Sequence, residues 1–164
     1  MVLRPPGGLP IASVTMATTH PAPLPSSLEG ASASRPKTLT VLLYSDDSTV
    51  RENVRLAVGR RPAADLPAVE WIECATEAAV VAVADEGRAD VLVLDGEAVP
   101  YGGMGICRQL KNEIYNCPPI LVLTGRREDA WLASWSQADL AVPHPLDPAA
   151  VAHAVADLAR RRLG

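Results

Sequence analysis

Short aliphatic runs recur five times along the chain, at Leu39–Tyr44, Val69–Cys74, Asp90–Asp95, Ile120–Thr124 and Leu140–Val142. Val69–Cys74 carries Glu70 and Glu73, and Leu140–Val142 is the weakest of the five, whereas Leu39–Tyr44, Asp90–Asp95 and Ile120–Thr124 are too short for a helix core and too apolar for a strand with one wet face. Such runs fit strands of a parallel sheet buried on both sides. Between them lie segments with helical spacing. Val50, Val54 and Val58 recur every four residues. Ala79, Val80 and Val83 fall in a helix expected from Thr76 to about Glu86, stopped by Gly87. Ile106, Leu110 and Ile114 mark another helix, ended by Pro118-Pro119, and a short one is expected from Glu128 to about Gln137. Val151, Val155 and Leu158 stripe the last, with Asp147 as its cap and Pro148 in its first turn. Five strands alternating with helices predict an α/β fold, a parallel sheet with helices on both faces.

Composition agrees with this architecture. The 164 residues are 48% hydrophobic but only 4% aromatic, with no Phe, so the core is aliphatic. Residues 1–37 are rich in Pro, Ser, Ala, Thr and Gly without periodicity, and read as a disordered tail before a domain over residues 38–164. Met16 is an alternative start. A net charge of -4 gives no electrostatic footprint for nucleic acid. Arg160, Arg161 and Arg162 are read as complementing a helix dipole. No apolar run reaches the ~18 residues of a membrane span, so a cytoplasmic protein is expected. Cys74, Cys107 and Cys117 match no zinc spacing and read as small hydrophobes in a reducing compartment.

In open parallel sheets, ligand sites lie beyond the carboxyl ends of the strands, near the switch in strand order. The residues at those ends are Ser45, Asp46, Asp47, Asp95, Thr124 and His144. No phosphate-binding glycine loop follows the first strand, which argues against a nucleotide enzyme.

Taken in order, these pieces resemble the receiver domain of bacterial response regulators, in particular atypical stand-alone receivers of actinobacteria. The resemblance runs from Leu39 to about Arg162. It rests on Ser45-Asp46-Asp47 with Arg51 beyond, on Asp90-Val91-Leu92-Val93-Leu94-Asp95, on Gly103-Met104, on Ile120 to Arg126, and on His144-Pro145-Leu146-Asp147-Pro148. It implies an α/β, flavodoxin-like (βα)5 doubly wound parallel five-stranded sheet of strand order 2-1-3-4-5, and Asp95 as the phosphoacceptor, with Ser45, Asp46, Asp47, Thr124 and His144 around the phosphoryl group. It also implies Mg2+ at Asp46 and Asp95, a histidine kinase or effector protein as partner, and no catalysis by the chain itself.

Several residues depart from the family's set. Aligning on Arg51 puts Ser45 at the first acidic position and Asp46 at the second; a slip of one residue presents Asp46 and Asp47 instead. The family's Lys, an ammonium charged at any ordinary pH, becomes the shorter imidazole of His144. Ala141 stands where the family has its aromatic switch. The Mg2+ site is therefore expected to be weakened. Glu97 is either a replacement carboxylate or a solvated loop residue. Thr124 either lines the pocket or satisfies local backbone groups, Asp47 is a pocket residue or a helix cap, and His144 is a ligand or a loop residue.

Trp131 and Trp135, four residues apart, share a helix face that serves either as core or as a partner surface. No output domain is seen after the last helix, so output is expected through protein contact. The main expectation is thus an atypical single-domain response regulator acting in phosphorelay signalling. The alternative is a phosphorylation-independent pseudo-receiver serving as an interaction or accessory subunit of a larger assembly, for which the resemblance to the actinobacterial receivers suggests a respiratory partner. A homodimer is left open, and a small α/β enzyme using Asp46, Asp95 and His144 ranks last.

Overall fold

Each aliphatic run becomes a strand in the computed structural model, which describes residues 37–164. The tail expected over residues 1–37, Lys37 apart, lies outside the described residues, as does Met16. The strands are β1 (Leu39–Tyr44), β2 (Val69–Cys74), β3 (Val91–Asp95), β4 (Ile120–Thr124) and β5 (Leu140–Pro143). The helices are α1 (Ser48–Val58), α2 (Glu77–Asp85), α3 (Gly103–Glu113), α4 (Ala130–Trp135) and α5 (Pro148–Leu163). All pairings are parallel, in the order β2-β1-β3-β4-β5 that the family resemblance implies.

The two-residue period of the strands divides the core in two. Val41, Leu43, Val91, Val93, Leu121 and Leu123 face one side, where α1 and α5 cover them. Leu42, Leu92, Leu94, Ile120 and Val122 face the other, against α2 and α3. With both faces of the sheet covered, β3 and β4 are buried at every residue. Cys74 and Cys107 lie in this core as free thiols, and burial pushes the Cys107 thiol up to about 11. Among the described residues, no helix is long and apolar enough to cross a membrane.

Helix ends follow local chemistry. Asp47, Thr76 and Asp147 each accept a backbone N–H through their side chains at the starts of α1, α2 and α5. Gly87 takes φ +64° just past α2, a conformation that costs glycine little. Two helices differ from expectation. α3 ends at Glu113, because Ile114 turns extended while its N–H closes on Leu110, well before Pro118-Pro119. α4 is entered through a 3-10 turn at Arg127–Asp129, where the Asp129 carboxylate accepts the Arg126 N–H.

Two aspartates fasten the strand starts, a device absent from the sequence reading. Asp90 Oδ2 accepts the Thr40 N–H at 2.9 Å, and Asp139 Oδ2 accepts the Ile120 N–H at 2.8 Å. Asp139 Oδ2 also takes Lys111 Nζ at 2.6 Å, tying α3 to the start of β5. Replacing Asp139 with Ala strands the Ile120 amide and leaves the Lys111 ammonium only the Pro118 carbonyl at 3.4 Å. Urea unfolding is expected to show a loss of about 1–3 kcal/mol; an unchanged midpoint would show that water satisfies both donors.

Candidate functional site

The switch in strand order falls between β1 and β3, and the loops beyond these strands enclose an acidic pocket of about 360 Å³. Its walls are Asp46, Asp47, Val50, Asp95, Glu97, Gly125 and His144, so four carboxylates line it and no Lys or Arg does. Asp95 is the last residue of β3 and is only 3% exposed. Its alternation with Val91 and Val93 aims it toward the α1–α5 side of the sheet end.

The Asp95 carboxylate is held on both oxygens. Ser45 Oγ donates to Oδ2 at 2.8 Å, and the Glu97 N–H donates to Oδ1 at 3.0 Å. His144 Nε2 faces Oδ1 at 3.8 Å. Ser45 is fully buried, and its Oγ also accepts the Asp47 N–H at 3.1 Å. Arg51 Nη1 donates to the Ser45 carbonyl at 2.6 Å, so the first turns of α1 hold Ser45 against Asp95. Of the two registers open in the sequence, this arrangement turns Ser45 inward and leaves Asp46 exposed on the pocket wall. Asp47, although on that wall, caps α1 through Thr49 at 2.7 Å.

The loop after β3 is tied from several sides. Asp46 Oδ1 accepts the Val99 N–H at 3.3 Å. The Tyr44 hydroxyl donates to the Tyr101 carbonyl at 2.6 Å. Burial, and then the carboxylates of Asp46, Glu77 and Asp95, push the Tyr44 pKa up, so it stays a donor. Gly103 lets α3 start directly on the strand end: a Cβ there would stand 2.7 Å from the Asp95 carbonyl oxygen. Across the pocket, a Cβ at Gly125 would collide with the Glu97 carboxylate, which folds over that residue. Glu97 is thus exposed but lines the pocket, uniting the two readings left open for it.

Not every expected residue joins this group. Thr124 is buried, but its Oγ1 donates to the Arg126 carbonyl at 3.2 Å, and it is absent from the pocket wall. The alternation of β4 sets it with Ile120 and Val122, on the side opposite Asp95. His144 does join: its N–H extends the β4–β5 pairing by donating to the Thr124 carbonyl at 2.7 Å. Its Nε2 is buried without a hydrogen-bond partner among the described residues.

Receiver domains typically bind Mg2+ at the phosphorylation site. Asp46 and Asp95 share the pocket wall, but among the described residues no group of three or more His, Cys, Asp or Glu side chains is placed to hold a metal ion. The Ser45 hydroxyl is turned onto Asp95, and the His144 imidazole nitrogen faces the same carboxylate.

Two further surfaces complete the picture. An apolar cleft of about 550 Å³ between α1 and the start of α5 shares Val50 and His144 with the pocket. On α4, Trp131 is 67% and Trp135 49% exposed, so neither is core. The Arg108 guanidinium lies 4.5 Å from the Trp135 ring centroid and donates to the Trp135 carbonyl at 2.6 Å.

No family model matches the chain. It is 52% identical over 122 residues to an uncharacterized response regulatory protein found in two strains of Mycobacterium tuberculosis, a match covering 74% of this chain and 92% of the relative. Among solved structures, it is similar to a LuxR-family two-component response regulator from Aurantimonas sp. SI85-9A1. That match has 27% identity and a TM-score of 0.63 over 77% of this chain and 89% of the other. A CheY-like receiver domain protein from Methanospirillum hungatei JF-1 shares the fold at 13% identity and a TM-score of 0.62, over 77% of this chain and 98% of that one. With its doubly wound sheet, the acidic pocket at its switch point and a curated relative at this identity and coverage, the chain belongs to the response-regulator family, as a receiver domain.

Proposed function

We propose that this receiver takes a phosphoryl group on Asp95 and passes the signal on by protein contact. The observation that carries the reading is a nearly buried carboxylate on the floor of an acidic pocket at the switch point. In the step, an Asp95 oxygen attacks phosphorus, the bond from phosphorus to the donor's nitrogen or oxygen breaks, and the leaving group takes up a proton. The product is an acyl phosphate on the domain spanning residues 38–164. Asp46 and Asp95 would hold the divalent cation, which when bound offsets charge on the phosphoryl oxygens.

The chain's own residues slow this step. Both Asp95 oxygens already accept hydrogen bonds, and attack must weaken one of them. The pocket wall offers no Lys or Arg charge to the incoming group, only His144. Thr124 would join the phosphoryl group only after the backbone at the end of β4 shifts, because its side chain starts on the sheet face opposite Asp95 with its hydroxyl on the Arg126 carbonyl. The apolar cleft that continues from the pocket past Val50 and His144 gives a histidine kinase a place to approach. Output is assigned to Trp131 and Trp135, whose exposed indoles have the character of binding hot spots. No observation favours the accessory-subunit reading.

With acetyl phosphate and magnesium, intact-mass measurement is expected to show slow, partial gain of one phosphoryl group by the wild type and none by Asp95→Asn. Rapid stoichiometric labelling contradicts the impaired pocket, and undiminished labelling of Asp95→Asn moves the acceptor elsewhere. Ser45→Asp removes the donor from Asp95 Oδ2 and adds a carboxylate, so the initial rate is expected to rise ~10-fold or more, about 1.4 kcal/mol in barrier. An equal or lower rate would show that Ser45 does not restrain the acceptor. For output, Trp131→Ala is expected to weaken effector binding ~10-fold or more while leaving labelling unchanged, compared side by side in pull-down and mass assays. Equal binding by the variant would remove α4 from the contact.

A further inference from the structure

α3 starts on Asp95 and grips Trp135 along its length, so one helix joins the pocket to the exposed indoles. At its start, backbone lies against backbone. A Cβ on Gly103 would stand 2.7 Å from the Asp95 carbonyl oxygen, and one on Gly102 would stand 2.7 Å from the Gly96 carbonyl oxygen. No side chain caps the N-terminus of α3, so its first turn is placed by the loop that leads from Asp95. That loop is tied to the carboxylate itself, because the Glu97 N–H donates to Asp95 Oδ1 at 3.0 Å.

Arg108 lies five residues beyond Gly103, about 7.5 Å along the axis at ~1.5 Å per residue. Its guanidinium donates to the Trp135 carbonyl at 2.6 Å and lies 4.5 Å from the Trp135 ring centroid. Farther along, Asn112 Oδ1 accepts Gln137 Nε2 at 3.3 Å, and Lys111 pairs with Asp139 at 2.6 Å. Ile106, Cys107 and Leu110 hold the helix body in the core. A helix packed this closely moves as a unit, since dense interiors transmit strain. A shift of its first turn therefore reaches Arg108.

The route through β4 and β5 is less well built. The Thr124 side chain starts on the sheet face opposite Asp95, with its hydroxyl on the Arg126 carbonyl. Ala141, exposed on β5, has only a methyl to pass a change on. Glu97 does fold over Gly125 ahead of α4, but through an exposed side chain.

We propose that α3 is the relay from Asp95 to the α4 surface, with Arg108 as the positioning residue through which it holds Trp135. A change in the bonding of Asp95 moves the Glu97 N–H, the loop and the first turn of α3, and Arg108 carries that movement to Trp135. The relay rests on the reading of α4 as the output surface; it does not require phosphoryl transfer.

The test is a double-mutant cycle on the full chain without a phosphodonor, read at the indole N–H resonance of Trp135, which Trp135→Phe assigns. Wild type, Asp95→Ala, Arg108→Gln and the double variant are compared. Asp95→Ala removes the acceptor of the Glu97 N–H and is expected to move the resonance. In the Arg108→Gln background the same change is expected to move it less than about half as far. Arg108→Lys, which keeps a cation and a donor, is expected to retain more of the response than Arg108→Gln. A merely structural Arg108 lowers the urea midpoint but leaves the response whole. Should Asp95→Ala fail to fold, Asp95→Asn takes its place in the cycle. An unmoved resonance on changing Asp95 overturns the relay. A full response in Arg108→Gln overturns it too, and moves the route to Glu97 and Gly125. Acetyl phosphate labelling keeps the two readings apart. Labelling of Asp95 with a full response in Arg108→Gln sinks the relay alone; the expected cycle with no labelling sinks the phosphoacceptor alone.

Discussion

A carboxylate taken almost wholly out of water at the end of a central strand has to be satisfied, and much of this domain is arranged around that demand. Asp95 ends β3, where the strand order reverses, so the loops after β1, β3, β4 and β5 all arrive beside it. Ser45 and the Glu97 N–H meet its oxygens directly. Arg51 steadies Ser45 from α1, and Gly103 brings α3 onto the strand end without a side chain in between. A change in the charge or bonding of Asp95 is therefore felt first in β1, α1 and the start of α3.

The pocket is acidic without a permanent countercharge on its wall, and this sets its chemistry. Inside it, the Ser45 hydroxyl and the Glu97 N–H hold the Asp95 carboxylate, and the His144 imidazole faces it at 3.8 Å. The exposed indoles on α4 stand on a separate surface, with Arg108 from α3 fixing one of them. α3 is thus the element common to both regions: its first residue packs on the Asp95 backbone and its Arg108 on Trp135.

The fold was largely legible in the sequence, because parallel strands buried on two faces write themselves as aliphatic runs. All five strands fall where the runs stand, and Asp47, Thr76 and Asp147 begin helices as capping chemistry predicts. The ends were less legible. α3 stops at Ile114 for a backbone reason that no proline signals, and the 3-10 entry to α4 depends on an Asp129 bond across one turn. The clamps at Asp90 and Asp139 were missed, since nothing in a lone aspartate before a strand says which neighbouring strand it will hold.

By itself, the sequence determined the layered architecture, the chemical types available at the strand ends and the aliphatic core, because periodicity and composition act locally. Only the tertiary structure decided which of those side chains meet. It joined Ser45 to Asp95 across 50 positions of chain, brought the nitrogen of His144 up to the same carboxylate, and sent Thr124 to its own loop. It also folded Glu97 over Gly125, which makes an exposed loop residue part of the pocket. The physical reason is that strand register and the two-residue alternation choose a side chain's face, and both are fixed by pairing with strands remote in sequence.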